Sequence, residues 1–473
     1  MRENAVGLSA NDELIQRKTI SKAKLHHQKW KMLCDEFLPF SESIWRFSRQ
    51  SNPNDKPQGW KLHISAHILN ACQLFEKVAP FLQSQNVRFK APVSLTELSK
   101  INQGLLYGYQ SVGKFLTVYP QNDEQAVMLA AELDKLTKEF DHVSIPFDKQ
   151  YSQNSSVFYR YGSFIQLETT TNDGKTVLAI EHPNGNLVKD DRLNPVPDWI
   201  QNPFPMNKNI TKASFANTRL DFPYKIFRAI TQRGKGGTYQ ALDFQNPIPR
   251  FCIIKEGRRF GELDWNETDG YSLVKNEFKT LEKLAYSVKE VPQVYESFEI
   301  NGNFYLALEW IEGKSLHALL KNRRKRFSIK QILNFAVEII EIVEKIHFSG
   351  WIWNDCKPAN LILTNNKKLR PIDFENAYIY GETAEFDWQS EGFSFSSKKS
   401  MDLTGKAADL YSIGATVYFL LTGKFYDPDN PIKISRLRRK IPTELISIVE
   451  DLLSGNESDC SIIAHEIRTL LKK

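Results

Sequence analysis

Between Asp191 and Tyr224 the chain is dominated by Pro, Asn and Asp, including the run LNPVPDWIQNPFPMNKN, a composition that sustains neither helical nor strand periodicity. Regular patterning resumes on both sides, so two folded units are expected, meeting near residue 210. With 473 residues, 41% of them hydrophobic and 25% charged, both halves can bury a core, and a disordered or collagen-like chain is excluded. The fold class expected is α+β, with residues 1–210 forming the first domain, 191–221 its linker region, and 222–473 the second.

In the first half, residues 1–50 are polar with scattered Trp and Phe and suggest short outer helices, before the breaker SNPNDKPQG at Ser51 to Gly59. Trp60, Leu62 and Ile64 then alternate with Lys61, His63 and Ser65, which is strand periodicity. A helix is expected next, capped by Ser65, carrying Ile68, Leu69, Cys72, Phe75, Val78 and Ala79 on one stripe and stopped by Pro80. Further strands are expected at Val87 to Lys90, Lys114 to Tyr119 and Ser156 to Phe164, with a helix near Asp123 to Phe140. The second half begins with strands and a hairpin near Gly302 and continues into long helices such as Ile329 to His347.

The net charge of +6 is too small over this length to argue by itself for nucleic-acid or membrane binding, and neither partner is expected. The five cysteines are odd in number and far apart, which argues against a disulfide framework or a CxxC metal site. The N-terminus lacks a signal-peptide pattern, and the longest apolar stretch, Tyr411 to Gly423, is short of the ~20 residues that span a bilayer. A cytoplasmic, reducing setting is expected.

The most specific run is WNDCKPANLIL, where Asp355, Lys357 and Asn360 stand at the spacing D-x-K-x-x-N, followed by PIDFE with Asp373. This resembles the catalytic core of Ser/Thr protein kinases, a bilobal fold. In that chemistry a carboxylate orients the attacking hydroxyl, a Lys offsets charge on the moving phosphoryl, and an Asn and a second Asp hold metal. By the resemblance, Asp355 is the catalytic base, Lys357 the γ-phosphate contact, and Asn360 and Asp373 the magnesium ligands. Upstream, GKGGTY with Gly234, Gly236 and Gly237 resembles the glycine-rich loop, Lys255 the strand lysine, and Glu277 its helix partner, with Glu282 as fallback. FYLALEWIEGKSL resembles the strand and adenine-binding hinge around Glu309 to Ile311, and Asp409 the aspartate that supports the catalytic loop. ATP or GTP with Mg2+ is implied.

Departures from the kinase pattern carry consequences. Trp353-Asn354 replaces the usual His-Arg, Glu375 replaces the Gly after Asp373-Phe374, and no Ala-Pro-Glu element follows. Without that Arg, a loop phosphate lacks its built-in partner, so a kinase active without loop phosphorylation is expected.

In the first half, Lys61 and His63 emerge on one strand face, ~7 Å apart. WKLHISA, RFKAP, GKFLTVYP and VFYRYG resemble bacterial phosphothreonine lyases and, more closely, the lyase domain of class III lanthipeptide synthetases, in which a lyase precedes a kinase. Eliminating phosphate from a phosphoamino acid needs a base for the Cα proton, an acid for the leaving group and cations around a dianion. The resemblance implies Lys90 as base, His63 as acid, and Lys61, Arg160 and Lys114 as phosphate ligands, with Lys90 and Lys114 interchangeable. His63 with His67 as a metal pair is the weaker reading, since Ile64 stands where a zincin has Glu. The basic runs Lys321 to Arg326 and Arg436 to Lys440 read as solvated helix ends or as a dock for an acidic leader.

The implied function is a peptide dehydratase. The kinase phosphorylates Ser or Thr of a precursor peptide bearing a leader, and the lyase removes the phosphate to leave a dehydro residue. The alternatives are a Ser/Thr kinase with an N-terminal regulatory module and a nucleotide-binding pseudokinase scaffold. The chain ends at Lys473, where a kinase C-lobe would finish, so ring closure is expected to need a separate cyclase or tailoring partner.

Overall fold

The computed structural model describes residues 10–205, 223–245, 247–321, 326–382, 391–395, 405–454 and 460–472. The N-terminal domain opens with α1 (Ala10–Phe37), β1 (Phe40–Glu42), β2 (Trp45–Phe47), β3 (Gln58–Ile64), α2 (Ala71–Ser84), β4 (Arg88–Pro92) and α3 (Leu95–Gln103). β5 (Leu116–Tyr119), α4 (Asp123–Thr137), β6 (Lys149–Gln150) and β7 (Val157–Ser163) complete its main layer, and β8 (Glu168–Thr170), β9 (Thr176–Glu181) and β10 (Leu187–Lys189) form a small satellite sheet.

The main sheet has seven antiparallel strands in the order β1-β2-β4-β5-β3-β7-β6. Its two faces differ because side chains alternate along each strand. Trp60, Leu62, Ile64, Phe89, Leu116, Val118 and Tyr159 face the helices and form the core, to which Trp30 and Cys34 of α1 and Phe75 of α2 contribute. Lys61, His63, Lys90, Thr117 and Arg160 occupy the alternate positions, and the register aligns Lys90 with Thr117, Thr117 with His63, and Lys61 with Arg160. One face of a single sheet therefore holds the charged residues in a row.

Two local expectations are corrected. Residues 10–37 form one helix instead of several short ones, since Trp30, Leu33 and Cys34 supply a buried stripe at helical spacing. Helix α2 begins after Asn70, not Ser65, and runs through Pro80 to Ser84. The Ser65 hydroxyl is committed to Val143 instead, donating to its carbonyl at 2.6 Å and accepting from its N–H at 3.1 Å. Pro80 lies on the exposed face with Glu76, where water can satisfy the carbonyl that loses its helical partner.

The C-terminal domain has a five-stranded antiparallel sheet, order β11-β12-β13-β15-β14, and a helical lobe. Its first lobe comprises β11 (Tyr224–Arg233), β12 (Gly236–Asp243), β13 (Arg250–Gly257), α5 (Gly270–Leu284), β14 (Val294–Ile300) and β15 (Asn303–Glu309). The second contains β16 (Gly313–Ser315), α6 (Leu316–Leu320), α7 (Ile329–Phe348), β17 (Trp351–Ile352), β18 (Leu361–Thr364), β19 (Leu369–Pro371), β20 (Tyr378–Ile379), α8 (Gly405–Thr422), α9 (Ile434–Leu437), α10 (Thr443–Leu453) and α11 (Cys460–Lys472). α8, buried nearly all round, packs on α7 and α10, and α11 packs on α7, about a core that includes Ile339, Val343, Tyr411 and Val449. This is the two-lobed kinase architecture, joined to an α+β domain. No helix among the described residues is long and apolar enough to cross a membrane.

Candidate active sites

Between the lobes of the C-terminal domain, the Nζ of Lys255 on β13 reaches Glu277 of α5 at 2.5 Å, Asp373 at 2.8 Å and Glu375 at 3.4 Å. Although burial opposes it, Asp373, Glu277 and Glu375 hold the Lys255 amine well above its ordinary range, so it remains charged. Burial likewise opposes ionisation of Asp373, yet Lys255, Lys235 and Lys357 hold its carboxyl well below the usual range. Burial pushes Glu277 up, with Lys255 opposing. The second Glu277 oxygen accepts the N–H of Phe374 at 3.1 Å and fixes the segment carrying Asp373.

The loop before β18 brings the rest together. Lys357 donates to both oxygens of Asp355 at 2.8 Å, and the amide of Asn360 donates to Asp355 Oδ2 at 2.7 Å and to its backbone oxygen at 3.0 Å. Asp409 of α8 sits beneath, accepting the N–H groups of Trp353 at 3.0 Å and Asn354 at 2.7 Å. Asn354 and Asp373 have φ of +59° and +70°, and Asn and Asp are the non-glycine residues that tolerate this region best. Trp353 stacks on Phe374 and donates to the carbonyl of Asp373 at 3.1 Å.

The hairpin of β11 and β12 carries Gly234, Gly236 and Gly237 at or beside its turn. A Cβ at Gly236 would lie 1.7 Å from the carbonyl oxygen of Glu256, so only glycine fits there. Glu309 lies three residues beyond Leu306, the cross-strand partner of Lys255, and its carboxylate is committed to Arg370 at 2.8 Å, with Ile311 buried nearby. Sequence reasoning misses Lys235, whose amine forms an ion pair with Glu375 across the cleft. Glu375 itself reads in the sequence only as a departure from the kinase pattern.

An all-oxygen donor set suits a hard divalent ion. Asp373 and Asn360 supply such donors, and oxygens of Glu277, Asp373 and Glu375 lie within 4.8 Å of one another. Magnesium fits that chemistry.

On the charged face of the N-terminal sheet, Asp148 is the hub. It meets His63 Nδ1 at 2.5 Å, Lys114 Nζ at 3.1 Å and Arg160 Nε at 4.0 Å. Against the cost of burial, Lys114, His63 and Arg160 hold Asp148 well below the usual carboxylate range. Asp190 pairs with Arg160 and, at 3.5 Å, with Arg192. Burial lowers Lys61, reinforced by Arg160, Lys90 and Arg192, and lowers Lys114 against the pull of Asp148. Burial and the Lys114 charge bring His63 down to about 3, so with this pocket arrangement its imidazole is neutral and Asp148 orients it.

Lys90 differs from Lys114, Arg160 and Arg192, which are paired with carboxylates. Its amine lies 4.2 Å from the ring centre of Trp45 and 5.7 Å from that of Phe47, with no salt bridge among the described residues. Burial, with help from Arg88, brings its pKa down to about 8. Asp148, Asp190 and Arg192 carry no motif; the only hint is the charged run KDDR at the start of the Pro-rich segment. Asp148 is delivered by a turn in which Phe147 has φ +68°, a strained value for an aromatic residue. His67 does not join His63 in any candidate metal cluster among the described residues; its ring stacks on Phe260 at 5.4 Å. Of the basic runs, 322–325 lie outside the described residues, and Arg438, just after α9, donates to the carbonyls of Phe327, ahead of α7, and of Leu421 in the last turn of α8.

A two-lobed fold with paired Lys255 and Glu277 and the Asp355, Lys357, Asn360 and Asp373 group defines a protein kinase domain, here following a sheet domain with a cationic pocket. The family model "Protein kinase domain" matches residues 251–472, and "RamC, N-terminal domain" matches 29–215. The chain thus joins a RamC N-terminal domain to a protein kinase domain, and its resemblance to class III lanthipeptide synthetases extends over both. It is 26% identical over 382 residues to "Probable SapB synthase" of Streptomyces coelicolor, covering 78% of this chain and 40% of that protein. It is 30% identical over 220 residues to "Serine/threonine-protein kinase PknA" of Nostoc sp., covering 43% of this chain and 38% of the relative. The chain therefore spans about two fifths of the length of these relatives. Among solved structures, "PpkA-294 apo form" is 17% identical with a TM-score of 0.43, covering 54% of this chain and 99% of its own. A protein kinase domain implies ATP and Mg2+ as co-substrate and cofactor.

Proposed function

We propose that the protein dehydrates Ser and Thr residues of a ribosomally made precursor peptide in two half-reactions. The observation that carries this reading is the pairing, in one chain, of a kinase cleft with a second, largely buried cluster of cationic side chains, Lys61, His63, Lys90, Lys114, Arg160 and Arg192. A cluster of cations exceeding its two carboxylates, Asp148 and Asp190, suits a phosphate dianion.

In the kinase cleft, Asp355 orients the peptide hydroxyl and accepts its proton while Lys357 faces the transferred phosphoryl. Asp373 and Asn360 would hold magnesium, which when bound would neutralise phosphate charge. In the second pocket Lys61, Lys114, Arg160 and Arg192 hold the phosphate. Lys90 removes the Cα proton, the Cβ–O bond breaks, and the phosphate leaves with a proton donated through His63, giving dehydroalanine or dehydrobutyrine. Among the described residues Lys90 makes no salt bridge whereas Lys114 is paired with Asp148, which favours Lys90 as base, since a base must reach its neutral form. The arriving dianion opposes the downward pull on His63 and so favours the protonated imidazole an acid requires. The sum is peptide plus ATP giving dehydropeptide, ADP and phosphate. A leader held on the enzyme would let one peptide sample both pockets, and the five buried free thiols suit a reducing cytoplasm.

The test is mass spectrometry of a candidate precursor incubated with ATP and magnesium. Loss of water is expected for the wild type, phosphopeptide accumulation for Lys90→Ala and His63→Ala, and unmodified peptide for Asp355→Ala. Full dehydration by the Lys90 and His63 variants would refute the pocket assignment. A gain of phosphate alone in the wild type would favour a simple kinase, and no change a scaffold.

A further inference from the structure

We propose that the N-terminal domain shapes the glycine-rich turn of the kinase through the backbone of Asn102 and Gln103, making Asn102 a positioning residue for nucleotide binding; this rests on the phosphotransfer half of the reading above. The last carbonyls of a helix have no partner within it and must find one elsewhere. At the end of α3, the Gln103 carbonyl accepts the N–H of Gly234 at 2.9 Å. The neighbouring Asn102 carbonyl packs so closely that a Cβ on Gly234 would sit 1.6 Å from its oxygen. Gly234 is therefore required by the other domain, not by an unusual φ, and one N–H that a glycine-rich loop could offer to phosphate is already committed.

The turn is gripped from its other flank as well. The Lys235 carbonyl accepts the Arg258 N–H at 2.8 Å, and the Glu262 carboxylate accepts the Lys235 N–H at 3.0 Å and the Arg233 guanidinium at 2.8 Å. The loop between β13 and α5 that supplies these groups is itself seated on the N-terminal domain. Phe260 stacks on His67, Arg258 lies 5.0 Å from the Tyr109 ring centre, Trp265 packs against His26 and His27, and Glu267 pairs with Lys22 at 2.8 Å. Phe260, Glu262 and Glu267 all have positive φ, a strained set that persists only where surrounding contacts dictate it.

Asn102 links this grip to the cationic pocket. Its side chain is buried, the amide donating to the Ala66 carbonyl and the oxygen accepting the Gly113 N–H, both at 3.1 Å. Ala66 lies just beyond β3, which bears Lys61 and His63, and Gly113 precedes Lys114. The side chain is thus anchored beside the cationic cluster while the backbone holds the turn whose Lys235 pairs with Glu375, itself 3.4 Å from the Lys255 amine.

The experiment uses the full chain, with ATP affinity read by titration and turn mobility by hydrogen–deuterium exchange over residues 230–240. Asn102→Ala, which loses two buried hydrogen bonds, is expected to weaken ATP binding about fivefold or more and to raise exchange at Gly234 to Gly237. Asn102→Asp, retaining the acceptor for Gly113, should fall between it and the wild type. Phe260→Ala removes the seat without touching either pocket and should shift both readouts the same way, which covers the case in which Asn102→Ala does not fold. Affinity within twofold of wild type and unchanged exchange, in the variants that fold, would overturn the proposal. Failure of the dehydratase reading would show separately, as absence of phosphate elimination, which neither readout measures.

Discussion

Phosphate elimination should become faster as pH rises towards about 8 and then level off. The reason lies in Lys90, whose pKa is brought from 10.5 down to about 8, first by burial and then by Arg88. At pH 7 an ordinary lysine is neutral in about one molecule in 3,000, whereas a pKa of about 8 leaves about one in ten neutral, an advantage of about 300-fold. In free-energy terms the shift corresponds to about 3 kcal/mol. The assay is phosphate release from a synthetic phosphoserine peptide without ATP, which silences the kinase. kcat at saturating peptide should be followed from pH 7 to 10, above the second ionisation of the phosphate at about 6, because the bound dianion is what keeps the His63 acid protonated. A slope near one below pH 8 and a plateau above are expected. Arg88→Gln should move the midpoint up, because it removes a like charge, and Glu42→Gln should move it down, because Glu42 favours the charged amine. Stability has a matching sign: between about 8 and 10.5 the unfolded chain keeps a proton that native Lys90 has released, so Lys90 contributes stability that increases with pH in that window. A flat profile, or undiminished activity in Lys90→Arg, whose guanidinium cannot act as a base, would refute the reasoning.

Asp148→Asn should impair the same reaction at least about tenfold by releasing His63, and should destabilise the fold by about 3 to 5 kcal/mol because Lys114 and Arg160 lose a buried counter-charge. Phosphate release and urea unfolding read the two effects, and wild-type values in both would sink the hub role. The kinase should transfer phosphate fully in a preparation shown by intact mass to carry none, because Trp353 is occupied by Phe374 and Asn354 offers no guanidinium to an activation-loop phosphate. Dependence on prior phosphorylation would overturn this.

Much of the kinase cleft is legible in the sequence. Asp355, Lys357 and Asn360 are close in the chain, so their spacing already implies that one loop presents them together. Lys235 is not legible, since a lysine at a glycine-rich turn reads as a solvated charge until Glu375 is found opposite it. The single helix α1 escapes a sequence reading because its polar residues outweigh the buried stripe of Trp30, Leu33 and Cys34. Pro80 reads as a stop, yet exposure, which the sequence does not reveal, decides whether a helix tolerates the lost hydrogen bond.

The cationic pocket divides along the same line. Alternation along a strand is local, so the sequence alone determined that Lys61 and His63 share a face and that Trp60, Leu62 and Ile64 take the other. Only the tertiary structure brought Asp148 and Asp190 to those cations, tied Lys114 to Asp148, and left Lys90 against aromatic rings. Charges buried in a low dielectric must be balanced by whatever group reaches them in space. That demand is blind to sequence distance, which is why a carboxylate with no motif stands at the centre of the site.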